Sequence, residues 1–538
     1  MIRKLTMLLL LFLSINSYAQ EDAWVYFIDK PNVSAALANP ITILTQKAID
    51  RKQNHNITID VRDVPVNEVY IADLKTQSGI TVMAKSKWFN AVHVRGNEID
   101  INALDALSFV DFIDFANNNL DAASRTAAIE DFVDVEDESI VFDYGDTQNQ
   151  VEMVNVDNLH LDDFTGEGLT IAVMDSGFQN VNTMGAFQRL RDNGDLLGGY
   201  DFVDRTADVY ANTDSSHGTR VLSTMAGYMQ DEFVGTAPDA SYYLFRTEPV
   251  ATENPVEESY WVEAAERADS LGVDLINTSL AYRVFDNPNY DYTPAEMNGQ
   301  IAYISKGASI AKEKGIVVVV SAGNYGNSTW ETVGAPADSP DVLSVGGVDA
   351  NGNYVSFSSR GSSAQVGYQK PDVVARAGNT YVVGQDNSIT QNDGTSFSGP
   401  IICGSIASLW QAIPEASPSE IIDFVIQSSS QFNVPDDFLG YGIPDFALAR
   451  SLALSLDENL EQNFRFYPSP TKHTLNIKMP LTISSAELSV FNQLGQEVLQ
   501  QSINEGMQTI NVSDFAAGIY IIKFSAKNTS ETFKFIKQ

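Results

Sequence analysis

The sequence predicts an α/β protein: a doubly wound, mainly parallel sheet in a large central domain, with a small N-terminal α+β domain before it and a C-terminal β-sandwich after it. Three observations predict this. Between about Val151 and Ser455, apolar runs of strand length alternate with longer amphipathic segments, the pattern of crossover units whose sheet is covered on both faces. Before residue 120, short alternating segments mix with helical ones, and after Phe464 short strands are separated by turn signals. The length of 538 residues leaves room for about three folded units at roughly 100–200 residues each.

Taken in order, the chain opens on Met1-Ile2-Arg3-Lys4, an apolar run from Leu5 to Ile15, and Ser17-Tyr18-Ala19. Charged, greasy and small in succession, residues 1–19 read as a secretory signal cleaved after Ala19. A membrane anchor is the alternative, but the run falls well short of the roughly 20 residues a spanning helix needs. In residues 20–120, Pro40 to Arg51 is expected as helix and Glu68-Val69-Tyr70-Ile71 as a short strand. Residues 121–150 are rich in Asp and Glu without periodicity, and read as an exposed linker. Within 151–455, Leu169–Met174, Val273–Asn277, Ile316–Val320 and Val342–Val345 are expected as buried strands. Val256–Leu271 and Ile301–Lys314 are expected as helices. Residues 456–463 form a second expected linker, and 464–538 carry the turn signals Asn492-Gln493-Leu494-Gly495 and Ala516-Ala517-Gly518.

Composition excludes several classes. Hydrophobic residues make up 44% and charged residues 19%, ample apolar surface for a core. A net charge of -37 argues against nucleic acid, whose binding needs clustered Lys and Arg, and slightly favours approach of basic substrates. The single cysteine, Cys403, permits no internal disulfide. It is expected as a buried, inert thiol.

In a parallel sheet the chemistry sits at the carboxyl ends of strands. The first expected strand ends in Asp175-Ser176-Gly177, Ser216-His217-Gly218-Thr219 opens an amphipathic helix, and Val317–Val320 leads into Ser321-Ala322-Gly323-Asn324. Gly394-Thr395-Ser396-Phe397-Ser398-Gly399-Pro400 leads into an expected helix Ile401–Ala412, with Pro400 in its first turn. Singly, each has an ordinary structural reading as a turn carboxylate, a helix-start histidine or a glycine turn. Together, Asp, His, Asn and Ser follow the chain order of one serine-protease class and not of the others.

The segments "VMDSGF", "SSHGTRV", "SAGN" and "GTSFSGP" closely resemble the signatures of subtilisin-like serine proteases. The resemblance implies a serine endopeptidase with Ser396 as nucleophile, His217 as general base and acid, Asp175 orienting the imidazole and Asn324 in the oxyanion hole. It also implies that Ser279-Leu280-Ala281 and Ser321-Ala322-Gly323 form the two walls that hold substrate, with peptide added between them as a strand. Two positions depart from the family pattern: Ala281, where glycine is usual, and Ala375-Arg376-Ala377-Gly378, where the family reads Ala-Pro-Gly. Neither touches the triad, so they bear on specificity.

The same resemblance extends to both flanks. "DVPVNEVYIADL" and "SKWFNAVHV" are similar to prodomains of secreted proteases, so residues 20–120 are expected to assist folding and block the cleft, with 121–150 as the processing region. "FYPSPTKHTLNI", "LSVFNQLGQEVL" and the closing "AAGIYIIKFSAKNTSETFKFIKQ" resemble the sorting domain of the type IX secretion route, a carbohydrate-binding sandwich being the alternative. Expected partners are therefore protein or peptide substrates, the chain's own prodomain and the type IX machinery, with no nucleic acid. The expected location is outside the cell or on its surface. No cofactor is expected. Asp201, Asp204 and Asp208 are weighed as calcium ligands and read as solvated loop charges, since they lack EF-hand spacing. His160 and His473 read as structural or surface histidines. A catalytically silent peptide-binding or cell-surface protein is the rival function, and a relative with a glutamate base is disfavoured by His217-Gly218-Thr219.

Overall fold

The computed structural model describes residues 20–120, 142–461 and 465–537, apart from 468–470, 479–484, 494, 505–506 and 527–528. The expected signal and residues 121–141 of the acidic stretch lie outside the described residues. The chain divides into two compact units, Met1–Ala449 and Arg450–Gln538, and each is described by itself.

The first unit begins with a four-stranded antiparallel sheet. Its elements are β1 (Gln20–Phe27), α1 (Val33–Ala38), α2 (Gln46–Asn54), α3 (Glu68–Leu74), β2 (Thr81–Ser86), β3 (Ala91–Asn97), α4 (Glu98–Ala103) and β4 (Val110–Phe115), in sheet order β2-β3-β1-β4. Val25, Val92 and Val94 of the strands pack with Ile71 and Leu74 of α3 and Ile101 of α4. The segment Glu68-Val69-Tyr70-Ile71 is therefore helix and not strand. The Asn67 side chain accepts a hydrogen bond from Val69 N, Glu68 lies in the first turn, and Ile71 and Leu74 are the buried pair, so capping and three-residue spacing outweigh the local alternation. The helix expected over Pro40–Arg51 is split. A single turn at Pro40–Thr42 stops, and α2 starts afresh where the Thr45 side chain accepts from Ala48 N.

The remainder of this unit carries α5 (Gln148–Glu152), α6 (Asp157–His160), β5 (Thr170–Asp175), α7 (Gln188–Asn193), β6 (Leu196–Asp201), α8 (His217–Ala226), β7 (Tyr228–Met229), β8 (Phe233–Val234) and β9 (Ser241–Arg246). There follow α9 (Val256–Leu271), β10 (Leu275–Thr278), α10 (Tyr303–Glu313), β11 (Val317–Ser321), β12 (Leu343–Val348), β13 (Val373–Arg376), β14 (Thr380–Val383), β15 (Ile389–Asn392), α11 (Thr395–Ala412), α12 (Pro418–Gln427) and the first four residues of α13 (Phe446–Glu461), the rest of which belongs to the second unit. Seven strands form one parallel sheet in the order β13-β12-β11-β10-β5-β9-β6. The order reverses at β5: the chain goes first to β6 and β9 on one side, then to β10 through β13 on the other. Such a switch point opens a crevice at the carboxyl ends of the strands, here those of β5, β10 and β11.

Two expected boundaries move. Thr147 and Gln150 are buried, and Gln150 exchanges hydrogen bonds with the Tyr381 backbone at 3.1 and 3.0 Å, so the end of the expected linker is part of the packed domain. At the other boundary, α13 continues to Glu461, through much of the segment read as linker.

The N-terminal domain lies against α9 and α10. Asp269 on α9, fully buried, receives Arg51 at 2.7 Å, Lys52 at 2.6 Å and Lys87 at 3.4 Å. Reciprocally, Lys314 at the end of α10 meets Asp63 at 2.8 Å and Asp60 at 3.0 Å. Burial alone would raise the Asp269 pKa, but the cations of Lys52, Lys87 and Arg51 win and hold it well below the usual carboxylate range. Helix α2 extends the contact to the amino ends of the strands. Lys47 reaches Thr170 Oγ1 at 2.6 Å and Asp274 at 3.1 Å, and Arg51 donates to the Val273 and Gly315 carbonyls.

The second unit contains β16 (Arg465–Tyr467), β17 (Thr474–Lys478), β18 (Ser485–Phe491), β19 (Glu497–Asn504), β20 (Met507–Asn511), β21 (Gly518–Ala526) and β22 (Thr529–Lys537). They form two antiparallel sheets, β16-β17-β20 and β19-β18-β21-β22. The inward residues share one core that includes Leu475, Ile477, Leu488, Val490, Ile522 and Phe535, as the expected sandwich requires. Among the described residues no helix is long and apolar enough to cross a membrane.

Candidate active site

The fold gathers the singled-out residues into one place. Asp175 is the last residue of β5 and fully buried, and His217 is the first residue of α8. His217 Nδ1 lies 2.8 Å from Asp175 Oδ1 and 3.0 Å from Oδ2. This contact needs β5 and α8 to touch closely. A Cβ on Gly218 would lie 2.7 Å from the Gly177 carbonyl oxygen, and one on Gly177 2.5 Å from that of Ser215, so the glycines of Asp-Ser-Gly and His-Gly-Thr serve packing. The Asp175 carboxylate is further fixed by the Ser176 amide at 2.7 Å. Burial alone would lower the His217 pKa, but the charge and hydrogen bond of Asp175 outweigh it and raise the imidazole above 6.5.

Ser396 stands in the first turn of α11, 9% exposed. The helix starts at Thr395 and not at Ile401, which puts Pro400 inside it. Proline has no amide hydrogen to give to the carbonyl four residues back. That carbonyl belongs to Ser396, and it accepts instead from Ser279 Oγ at 2.9 Å. The Thr395 carbonyl is likewise held by Ser321 Oγ at 2.7 Å. Both expected substrate walls are thus tied to the turn that carries Ser396.

Asn324 follows β11, and its Oδ1 accepts from Thr395 N at 2.9 Å and Thr395 Oγ1 at 3.1 Å. This fixes the amide so that Nδ2 is free to donate. Gly394 has φ 144°, and a Cβ placed on it would lie 3.6 Å from Asn324 Nδ2 and 3.7 Å from Ser396 N. Those two donors therefore converge on one small space, next to a helix start whose amides have no partner within the helix.

His217, Ser396 and Asn324 line a cleft of about 380 Å³ together with Ser279, Leu280, Ala281, Ser321 and Gly323. Asp175 sits behind His217. Ala322 alone of the expected substrate residues is not in the lining; it is fully buried, and its amide pairs with Val345 O at 2.9 Å. Sequence reasoning missed Glu248, Glu253 and Tyr325, which also line the cleft. Tyr325 Oη donates to the Ala281 carbonyl at 3.0 Å. All the cleft-lining residues lie between Ser176 and Ser396, so the described N-terminal domain sits beside the cleft on α9 and α10 and does not fill it.

Other weighed residues have structural partners. Asp201 is buried and, with Asp204, pairs with Arg246 at 2.8 and 2.7 Å. It is thus not a solvated loop charge, and a guanidinium already balances both carboxylates; Asp208 remains exposed and caps a turn through Tyr210 N. His160 is buried between Tyr144 Oη and the Thr236 carbonyl, and burial pushes its pKa down to about 4. Cys403 is buried on α11, where burial pushes its thiol up.

Comparison with known proteins bears on the whole constellation. The family model described as "Subtilase family" matches residues 166–442, a span that contains all four residues and both walls. The chain belongs to the subtilase family. It is a serine endopeptidase. A second model, the Peptidase S8 propeptide domain of Bacteroidota, matches residues 22–130, and a third, the secretion system C-terminal sorting domain, matches 465–538. The protease thus carries its own propeptide and a type IX sorting domain, and it is secreted or attached to the cell surface. Subtilisin DY of Bacillus licheniformis is 28% identical over 290 residues, covering 54% of this chain and 92% of the relative. Mycosin-1 of Mycobacterium tuberculosis is 31% identical over 334 residues, 53% of this chain and 69% of the relative. Among solved structures, the epidermin leader peptide processing serine protease of Staphylococcus aureus superposes with a TM-score of 0.53 at 17% identity, covering 81% of this chain and 100% of that one, a likeness of fold.

Proposed function

We propose that this subtilase cleaves peptide bonds through an acyl-enzyme on Ser396. His217 takes the hydroxyl proton during attack and returns it to the leaving amine, while Asp175 keeps Nδ1 protonated and stabilises the imidazolium. Asn324 Nδ2 and Ser396 N donate to the oxyanion. Peptide lies along Ser279-Leu280-Ala281, with Ser321 and Gly323 opposite, and the first cut falls within 121–141, in the chain's own connecting segment. No cofactor takes part in these steps. The observation that carries the reading is the 2.8 Å contact of His217 with a fully buried carboxylate, in a cleft also lined by Ser396 and Asn324. A purely peptide-binding chain has no use for a buried carboxylate behind its histidine.

The direct test is covalent. A fluorophosphonate probe is expected to label Ser396 of the processed protein, found by mass spectrometry of the peptide. Failure to label, beside a serine protease that does, would remove the mechanism. The titration of His217 gives a second expected result. The base must be neutral to accept a proton, and its pKa is raised above 6.5. Thus kcat/KM should fall as pH drops through a midpoint above 6.5, and Asp175→Asn should bring that midpoint down. The check is a pH–rate profile on a small ester; a wild-type midpoint below 6.5 contradicts the assigned pair.

A further inference from the structure

Beside the triad the cleft holds a second kind of chemistry. The loop between β9 and α9, together with the first turn of α9, brings Glu248, Glu253 and Glu257 together, one carboxylate oxygen from each lying within 4.8 Å of the others. Glu248 and Glu253 line the cleft with Pro249, Val250 and Leu280, and Glu257 is fully buried. Glu248 Oε2 accepts from Tyr282 Oη at 2.5 Å and Glu257 Oε1 from Asn254 N at 2.9 Å. Glu257 Oε2 has no partner at all. A buried acceptor left unpaired is costly and calls for an occupant. The neighbouring cations are already engaged: Arg246 with Asp201 and Asp204, and Arg283 over the rings of Tyr325 and Trp330 at 4.2 and 5.5 Å.

We propose that Glu248, Glu253 and Glu257 form a subsite for the guanidinium or ammonium group of a basic side chain on the bound peptide. The proposal rests on the peptidase reading above and deepens it. The occupant is a side chain and not a metal ion for two reasons. Pro249, Val250 and Leu280 offer apolar surface for an aliphatic stem whose charged end reaches the carboxylates, whereas calcium prefers six to eight oxygens. The chain also supplies a ligand of this kind. Arg125 is the only Lys or Arg between Arg95 and Arg189, and it lies in the connecting segment, five residues before the propeptide match ends at 130. The described N-terminal domain reaches Asn118 in a cavity shared with Pro255 and Phe285. Next to Phe285, Asp286 exchanges two backbone-linked hydrogen bonds with Glu253. Asn118 of the last described stretch of the N-terminal domain therefore borders the segment that pairs with Glu253. Burial, then mutual repulsion, pushes the Glu248 and Glu257 carboxyls up, a tension that a cation would relieve.

The test compares peptides that differ at one position on the acyl side of the scissile bond, carrying Arg, Lys or norleucine there, each position scanned in turn. Enzyme concentrations are set by fluorophosphonate titration, so that misfolded variant does not count. Wild-type enzyme is expected to favour Arg or Lys over norleucine at one position by about 10- to 100-fold in kcat/KM, the worth of a charge-assisted hydrogen bond. In Glu253→Gln and in Glu257→Gln that ratio is expected to fall toward unity, and Arg125→Gln is expected to slow processing of the full chain. A ratio unchanged in both variants, or no basic preference at any position, overturns the proposal. So does a rise in thermal stability with millimolar calcium that the variants abolish while the peptide ratio stays flat, which would make the trio a metal site. Cleavage of norleucine peptides without basic preference sinks the subsite alone; no cleavage of any peptide sinks the peptidase reading as well.

Discussion

Ser396→Ala is expected to lower turnover by about 10⁶-fold, the loss established for nucleophile removal in this family and not a value inferred from this chain's distances. The expected consequence reaches beyond activity. If the first cut is made by the chain's own cleft, the variant accumulates with residues 20–120 still covalently joined to the rest, and a gel of purified protein from a host lacking other proteases reads the difference. The fold should survive, because the serine side chain makes none of the contacts that hold α11: those run from Ser279 and Ser321 to backbone carbonyls of Thr395 and Ser396. Normal maturation of the variant in such a host would assign processing to another enzyme while leaving the acyl-enzyme mechanism standing.

Asp269→Ala carries the second large effect. The substitution leaves Arg51, Lys52 and Lys87 crowded at the domain junction without their shared anion, and fully buried Lys52 keeps only the longer contact with Asp63 at 3.2 Å. Removing one partner from a buried ion-pair network costs about 3–5 kcal/mol. Equilibrium unfolding in urea, in an inactive background so that nothing is cut, should therefore move by that amount. The acid side gives a sign check. A carboxylate held below its usual range contributes stability that is full above that range and is lost only as pH falls through it, so the wild-type advantage over the variant should persist at pH 5 and vanish in strong acid. A change below about 1 kcal/mol, the value of an exposed pair, would mean that the junction is open to water.

Much of the active site was legible because its signals are local. Strand, carboxylate and glycine are adjacent in Asp175-Ser176-Gly177, and the helix that carries the histidine begins on it. Val256–Leu271 matches α9 to the residue, since Pro255 precedes it and Gly272, at φ 83°, ends it. Where a nearby cap competes with periodicity, as at Asn67 before Glu68, the alternation misleads. Pro400 misleads for a related reason: a proline is a fair sign of a helix start unless a side chain from elsewhere satisfies the carbonyl it abandons, and Ser279 is 117 residues away. The junction network was invisible for the same cause. Arg51 and Asp269 are 218 residues apart, and no pattern within either segment announces the other.

The position of α2 has a kinetic meaning. By touching Thr170, Val273 and Gly315, one short helix bridges the starting edges of β5, β10 and β11, strands that are neighbours in space but scattered along the chain. Parallel sheets assemble slowly because distant segments must find one another before any contact rewards them. An N-terminal domain that folded first would act as an assembly jig, holding three loose ends in register, and a chain stripped of it is then expected to stall half-collapsed with its sheet unclosed, even though every residue of the triad is still present.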